Sequence, residues 1–442
     1  MYLVNLPPET HSCSYVGQLS QRWLRILLVL ELYCSPPVKN YWPLLLLTLL
    51  SYSSFSSALA APRRDFAGQY RAERRVGLDT RREGDSLRLY LRFPDGNMLR
   101  QGYPLHVAAW ADYDAKRPLW QDTVRHLARR IRTDGSAAWV EFCLPLSRLR
   151  AGQLLSINAS TAAEADAGDA AWLALKPDYL SRSFVLTDSV GQPLLRRFVQ
   201  AYEPFGVDSY GPDLAVQTRL YPLSSQPALP PMSNPAALGP QPRTLGLQDS
   251  TWFRAGQLLR LPAGLYLLRT EQQTPWCGLL VEENNFPDLT SADELIAPLT
   301  FLTSSAERKK LFDAPDPKKA VDAFWLNLVK GDQPTARLLI RTYYGRVMDA
   351  NRLFSSHKAG WLTDRGLLYI VMGPPETVYR TGGEERWVYR GTPERAGTYT
   401  FRPKPSTFAP ENYELVRRPE YERLWYAAVE QWRKGIIARP GR

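Results

Sequence analysis

Seven prolines stand between Tyr221 and Pro242, at positions 222, 227, 230, 231, 235, 240 and 242, with Ser, Ala and Gln among them. Each proline fixes φ and removes a backbone donor, so neither a helix interior nor a central strand can run through this stretch. The chain is therefore divided here, and 204–250 reads as a linker or long exposed loop. With 442 residues, 44% of them hydrophobic and 12% aromatic, there is enough apolar material on either side for separate cores.

Upstream of the prolines the pattern is β. In 85–93, Leu87, Leu89, Leu91 and Phe93 alternate with Arg88, Tyr90 and Arg92, the signature of a half-buried strand. Runs at 105–110, 137–144, 154–160, 171–175, 183–186 and 195–201 repeat the style between turn signals such as Pro94-Asp95-Gly96-Asn97 and Asp134-Gly135-Ser136. Short strands at this spacing predict an Ig-like β-sandwich, with domain bounds 61–203. Downstream, 258–261 and 265–268 flank Pro262-Ala263-Gly264 and predict a hairpin within a small β unit at 251–284.

From 285 the apolar period changes to that of helices. Ser291-Ala292-Asp293-Glu294 is a capping box, and Asp316-Pro317 opens a second helix that Gly331 stops. In 332–354 the residues Ala336, Leu339, Ile340, Tyr343, Val347, Ala350 and Phe354 recur every three or four positions, which predicts a long helix with a wide apolar stripe. Strands are expected at 367–371, 386–389 and 398–401, then an amphipathic helix at 419–434 carrying Tyr421, Leu424, Trp425, Ala428 and Trp432 on one face. The body at 285–435 is thus α+β, followed by a tail at 436–442. Taken whole, the chain reads as multidomain, all-β at its N-terminal side and α+β at its C-terminal side.

The segment 1–60 reads as a signal peptide with an upstream extension. It holds an uncharged stretch from Tyr41 to Pro62, leucine-rich at 42–50, after Lys39 and before small residues. Ala58 and Ala60 occupy the positions a signal peptidase admits, so cleavage is expected after Ala60, which places the mature chain outside the cytoplasm, periplasmic or at the cell surface. The apolar run is about half the ~20 residues of a spanning helix, so membrane association is expected only through an uncleaved N-terminal segment. A net charge of +11 comes from basic residues scattered among acids, as in Arg71-Ala72-Glu73-Arg74-Arg75, and without a patch no nucleic-acid partner is expected. Cys13, Cys34, Cys143 and Cys277 form no CxxC pair, so no metal or other cofactor is predicted; Cys143, in a strand-like run, is expected to be a buried thiol.

The most distinctive segment is Gly360-Trp361-Leu362-Thr363-Asp364-Arg365-Gly366, followed by an apolar run and by Gly373-Pro374-Pro375. Two glycines able to take positive φ would turn the chain from helix into strand, with Trp361 burying its ring on the helix stripe. Thr363 and Asp364 would hydrogen-bond nearby amides, Arg365 would fork onto a carboxylate or loop carbonyls, and Gly373 and Pro374 would end the strand. A sharper reading makes Asp364 an acid–base group with His357 or Glu376 as partner. Against it, His106, His126 and His357 are the only histidines after residue 60, no HExxH, GxSxG or P-loop occurs, and Ser355 and Ser356 cannot form a triad with the adjacent His357.

Together with upstream Phe324-Trp325, Arg346-Val347 and Ala350-Asn351 and downstream Arg386-Trp387-Val388-Tyr389, this heptamer resembles the GWxTD domain of bacterial proteins, over roughly residues 285 to 435. The resemblance implies an exported protein with a β-rich N-terminal region. That family has no assigned reaction, so no catalytic residue is implied. The expected role is a non-catalytic envelope interaction or structural protein whose partner is an envelope protein or glycan. The alternatives are a hydrolase or ligand-processing enzyme using Asp364, and a carbohydrate-binding sandwich using Trp110, Trp120, Trp139 and Trp172.

Overall fold

A computed structural model describes residues 64–160, 170–211, 215–234, 236, 244–270, 275–390 and 396–436. The signal segment with its site at Ala60, Cys13, Cys34 and residues 437–442 lie outside the described residues. In chain order the first eight strands are β1 (Gly77–Glu83), β2 (Ser86–Phe93), β3 (Leu105–Trp110), β4 (Trp120–Thr123), β5 (Ile131–Asp134), β6 (Ala137–Pro145), β7 (Leu154–Ala159) and β8 (Ala171–Ala174). They form two four-stranded antiparallel sheets, ordered β1-β2-β6-β5 and β4-β3-β7-β8. The alternation in β2 sends Leu87, Leu89 and Leu91 into one core with Val140 and Phe142 of β6, Leu105 and Val107 of β3, and Leu155 and Ile157 of β7. Each such burial contributes about 1.5–3 kcal/mol. Cys143 is not the buried thiol expected: β6 turns Phe142 and Leu144 inward, which leaves Cys143 exposed on the outer side.

A second β unit follows, with β9 (Phe184–Asp188), β10 (Phe198–Gln200), β11 (Phe205–Ser209), β12 (Ala215–Tyr221), β13 (Asp249–Arg254), β14 (Gly264–Thr270) and β15 (Cys277–Glu282). Five of them form a sheet ordered β10-β15-β14-β12-β13, while β9 pairs with β11. Three sequence expectations are corrected here. The strands near 183–186 and 195–201 belong to neither of the first two sheets and share a core with β11, β12, β14 and β15, through Phe184, Val199, Val207, Val216, Leu268 and Leu279. The hairpin about Pro262 does not form, because Leu259 bridges Phe205 of β11 and β14 pairs instead with β12 and β15. The region 204–250 is no simple linker, since it contains β11, β12 and the start of β13. Beyond β12 its described prolines 222, 227, 230 and 231 lie in an extended strap over 222–234.

The C-terminal body combines α1 (Ala292–Ile296), α2 (Ser305–Phe312), α3 (Pro317–Leu328), α4 (Gln333–Phe354), α5 (Asp364–Met372) and α6 (Tyr421–Arg433) with a sheet of β16 (Thr377–Arg380), β17 (Glu385–Tyr389), β18 (Gly397–Pro403) and β19 (Tyr413–Leu415), paired in that order. Ser291 caps α1 as the sequence indicates: its Oγ accepts from the Glu294 amide at 3.3 Å, and Glu294 Oε2 accepts from the Ser291 amide at 2.7 Å. Ser304 and Glu307 repeat the device on α2. The stripe of α4 buries Leu339, Tyr343, Val347 and Ala350 among Trp325, Trp387 and Trp432. Phe66 and Tyr70, at the first described residues, enter the same core, and the Phe66 amide donates to the Val378 carbonyl at 2.9 Å.

The largest departure concerns 367–371, which is not a strand but the body of α5. Leu367, Leu368 and Ile370 are wholly buried, and Tyr369 and Val371 nearly so. A helix buried on every side has no polar face, so its run of apolar residues carries no helical period.

Candidate functional site

The heptamer lies where α4 ends and α5 begins. Ser355 Oγ accepts from the Gly360 amide at 2.9 Å, and a 3-10 turn, Gly360–Leu362, brings the chain back against α4. Asn351, 1% exposed, accepts from the Trp361 amide at 3.1 Å and donates to the Pro287 carbonyl at 3.2 Å. Gly360 and Gly366 do not take the positive φ expected of them. They are glycine because of close approach: a Cβ on Gly360 would overlap the Ala350 carbonyl, and one on Gly366 would overlap the Gly360 carbonyl. Gly373 does have positive φ, 96°, where it ends α5 ahead of half-buried Pro374, and its carbonyl accepts from Tyr389 Oη at 2.9 Å. Buried Arg346 donates to the Ile370 carbonyl at 3.1 Å, serving the negative end of α5.

Thr363 is the N-cap of α5, its Oγ1 accepting from the Gly366 amide at 3.0 Å and donating to the Gly360 carbonyl at 2.7 Å. Asp364 does not serve nearby amides; its carboxylate reaches across to the C-terminal strand. Oδ2 accepts from the Leu415 amide at 2.7 Å and from Arg417 Nη1 at 3.1 Å, while Oδ1 accepts from Arg417 Nη2 at 2.6 Å. The two side chains are 11% and 8% exposed. The proline strap closes the arrangement. Arg417 also donates to the Leu229 carbonyl at 3.1 Å, the Ala228 amide donates to the Leu362 carbonyl at 2.9 Å, and the Arg418 amide donates to the Pro231 carbonyl at 3.1 Å. An extended proline-rich chain pairs few of its own carbonyls, so those of Leu229 and Pro231 are left to accept from Arg417 and Arg418, and a stretch expected to act as a spacer docks here.

The remaining motif residues scatter. Trp361 is half-buried rather than sealed on the α4 stripe, and meets Phe301 edge-on at 6.2 Å. Arg365 does not fork onto a carboxylate: its guanidinium stacks over Phe354 at 5.2 Å and Tyr413 at 4.9 Å and donates to the Glu411 carbonyl at 3.1 Å. His357 lies against Ser356 Oγ at 3.2 Å, and burial, with Lys358 and Lys404 nearby, pushes its pKa down to about 4. Glu376 is exposed beyond the end of α5. Asp364, His357 and Glu376 therefore share no hydrogen bond among the described residues, and no group of three or more His, Cys, Asp or Glu side chains there is placed to hold a metal ion. Of the tryptophans considered for sugar binding, Trp110 is buried and its indole donates to Ser156 Oγ at 2.8 Å, Trp172 packs on Phe66 at 5.4 Å, Arg148 covers Trp120 at 4.1 Å, and Arg92 lies 5.9 Å from Trp139.

Two buried ionic groups had no signal in the sequence. Glu385, 1% exposed, accepts from Tyr70 Oη at 2.5 Å, Trp387 Nε1 at 2.7 Å and Arg380 Nε at 2.9 Å. Burial works to raise the Glu385 pKa, but Arg380, Arg365 and these donors hold it below the usual carboxylate range. Asp79 of β1 is bonded by Arg182 and by Arg197, the latter at 2.8 Å. Arg380 and Trp387 flank Glu385 within five residues, but Tyr70 lies 315 residues from it, and Asp79 lies 103 and 118 residues from its two arginines, so no local spacing discloses these burials.

Residues 264–434 match the family described as the GWxTD domain. The match begins at β14, ahead of the boundary at 285, and the packing explains why: Leu265 of β14 and Leu280 of β15 share a core with Ala359 and Leu362 of the motif. No curated protein gives a match. Among solved structures, native alpha-2-macroglobulin from Escherichia coli, spanning domains MG0-NIE-MG1, is 13% identical over 46% of this chain and 69% of that one, with a TM-score of 0.13, too slight a likeness to bear on fold or function. With its heptamer set between two helices inside the matched residues, the chain is a GWxTD domain-containing protein.

Proposed function

We propose that this is an exported, non-catalytic protein of the cell envelope, released by cleavage near Ala60 into the periplasm or to the cell surface, with an interaction or structural role toward another envelope protein or a glycan. On this reading the N-terminal sheets are an Ig-like sandwich. The observation that supports a non-catalytic role is the use of the motif's polar side chains. Thr363 caps α5, and the Asp364 carboxylate is taken up by the Leu415 amide and by Arg417. A carboxylate whose oxygens already accept from a bidentate guanidinium and a backbone amide is shielded from a reacting group.

The test is a panel of glycan, ester and peptide substrates presented to the wild-type chain and to Asp364→Asn, with thermal melts of both. The expected result is no turnover by either and a lowered melt for the variant. Turnover that disappears in Asp364→Asn at an unchanged melt would overturn the reading. For location, N-terminal sequencing of the chain recovered from its producing cell is expected to begin at Ala61.

A further inference from the structure

The five-stranded sheet buries one face and divides the other. Val216, Leu220, Tyr266 and Leu268 point into the core shared with β9 and β11. On the opposite face, Tyr221, Leu265 and Leu280 pack against Ala359 and Leu362 of the motif region. Strand pairing gathers a different set on the rest of that face. Gln217 of β12 stands between Trp252 of β13 and Arg269 of β14, while Arg219 is opposite Ser250 and Arg254 opposite Ala215. Trp252 is 50% exposed, and Ser250 and Arg254 are exposed beside it.

This part of the face is ordered by its own contacts. Arg269 Nε donates to Gln217 Oε1 at 3.0 Å, and Gln217 Nε2 donates to Ser250 Oγ at 3.2 Å, which ties β14, β12 and β13 into one row. The guanidinium groups of Arg269 and Arg219 lie 4.3 and 4.7 Å from the ring centre of Trp276, just ahead of β15, so one indole steadies both cations. Arg219, Arg254 and Arg269 form no ion pair among the described residues, and Arg219 Nε has no hydrogen-bond partner. The only acid in these three strands, Asp249, is opposite Leu220 and therefore on the core side. Positive charge on the open face thus meets no negative charge from the strands that build it.

We propose that this open part of the sheet binds an acidic polysaccharide laid across the strands, with Trp252 stacked on a sugar ring and Arg254, Arg219 and Arg269 taking the sugar carboxylates. The inference rests on the envelope reading above and specifies its glycan partner. Charge complementarity favours this occupant, since guanidinium forks match carboxylates two oxygens at a time. Spacing favours it as well: neighbouring strands stand about 4.8 Å apart, close to the length of one pyranose residue, so a sugar chain meets a new strand with each ring. A single-stranded nucleic acid is held by successive stacked bases along a basic groove, whereas the indole of Trp276 is already engaged by two guanidinium groups and Trp252 alone is left open.

The experiment is calorimetric titration of the purified chain with a galacturonate hexamer, a neutral glucose hexamer and an oligothymidylate. Saturable binding of the galacturonate is expected, weakening as salt is raised, with the glucose chain about tenfold weaker or worse. Trp252→Ala should weaken galacturonate binding about tenfold and Arg254→Gln about threefold or more, whereas Arg132→Gln, exposed on β5 of another sheet, should leave it unchanged. Near-UV circular dichroism checks folding; should Trp252→Ala misfold, Arg254→Gln at the exposed sheet edge still decides. Absence of galacturonate binding, equal binding of the glucose chain, tighter binding of the thymidylate, or an affinity indifferent to Arg254→Gln overturns the proposal. A chain that begins at Ala61 and turns over no substrate, yet binds no galacturonate, overturns this inference and leaves the envelope reading standing.

Discussion

Replacing Asp364 by asparagine separates a structural from a chemical role for the motif. The change keeps the size of the side chain and one acceptor oxygen, but removes the charge opposite Arg417, whose side chain is 8% exposed and cannot recover water without opening the joint. Removing one partner of a buried ion pair costs roughly 3–5 kcal/mol, because the other charge is left uncompensated. The Leu415 amide keeps an acceptor only if the new amide presents its oxygen there, which turns an NH2 toward Arg417. At about 2 °C per kcal/mol for a large unit, the melt should fall by roughly 6–10 °C. Adding Arg417→Met should recover part of that loss, since the orphaned charge is then gone, with a coupling of about 1–3 kcal/mol in the double-mutant cycle. Calorimetric or fluorescence-detected melts of the four proteins suffice. An unchanged melt for Asp364→Asn, or strictly additive losses in the double variant, would refute the reasoning.

Three further outcomes are expected. Gly366→Ala should destabilise by about 1–3 kcal/mol or more, because its Cβ meets the Gly360 backbone, whereas Gly382→Ala, with nothing within 4 Å, should be near neutral; urea midpoints compare them. Thr363→Val should cost about 1–2 kcal/mol by removing the cap of α5, and Thr363→Ser should restore most of it in the same assay. His357 stays neutral in the fold down to about pH 4, so between the ordinary histidine value and that point the unfolded chain binds the extra proton. Stability should therefore fall as pH drops through that window, and a melt-versus-pH series on His357→Gln should lose this component.

What the sequence disclosed depended on how local the cause was. The capping box at Ser291, the stripe of α4 and the alternation of β2 are set by neighbours within a few residues, and each appears where its pattern lies. The strands β1, β4 and β5 escaped notice because they are short or rich in polar residues and gain their place by pairing with β2, β3 and β6. The parallel pairing of β10 with β15 joins segments about 80 residues apart, which no alternation reveals. In the motif, composition located the corner but misjudged its mechanics. Glycines required for close packing look the same in sequence as glycines required for positive φ. A helix capped by Thr363 with glycine at the third position lacks the acidic residue that marks a capping box. The partner of Asp364, Arg417, lies 53 residues away, two residues beyond a strand of only three.

The central claim is that the polar residues of the heptamer fasten α5, the C-terminal strand and the proline strap to one another. Native-state amide hydrogen exchange tests it most directly, read at Gly366, Leu415 and Ala228, the amides that donate to Thr363, Asp364 and Leu362. The account predicts that all three exchange as slowly as amides of buried α5, and that Asp364→Asn speeds Leu415 and Ala228 together. Exchange at these positions as fast as in an open loop, with α5 still protected, would contradict it.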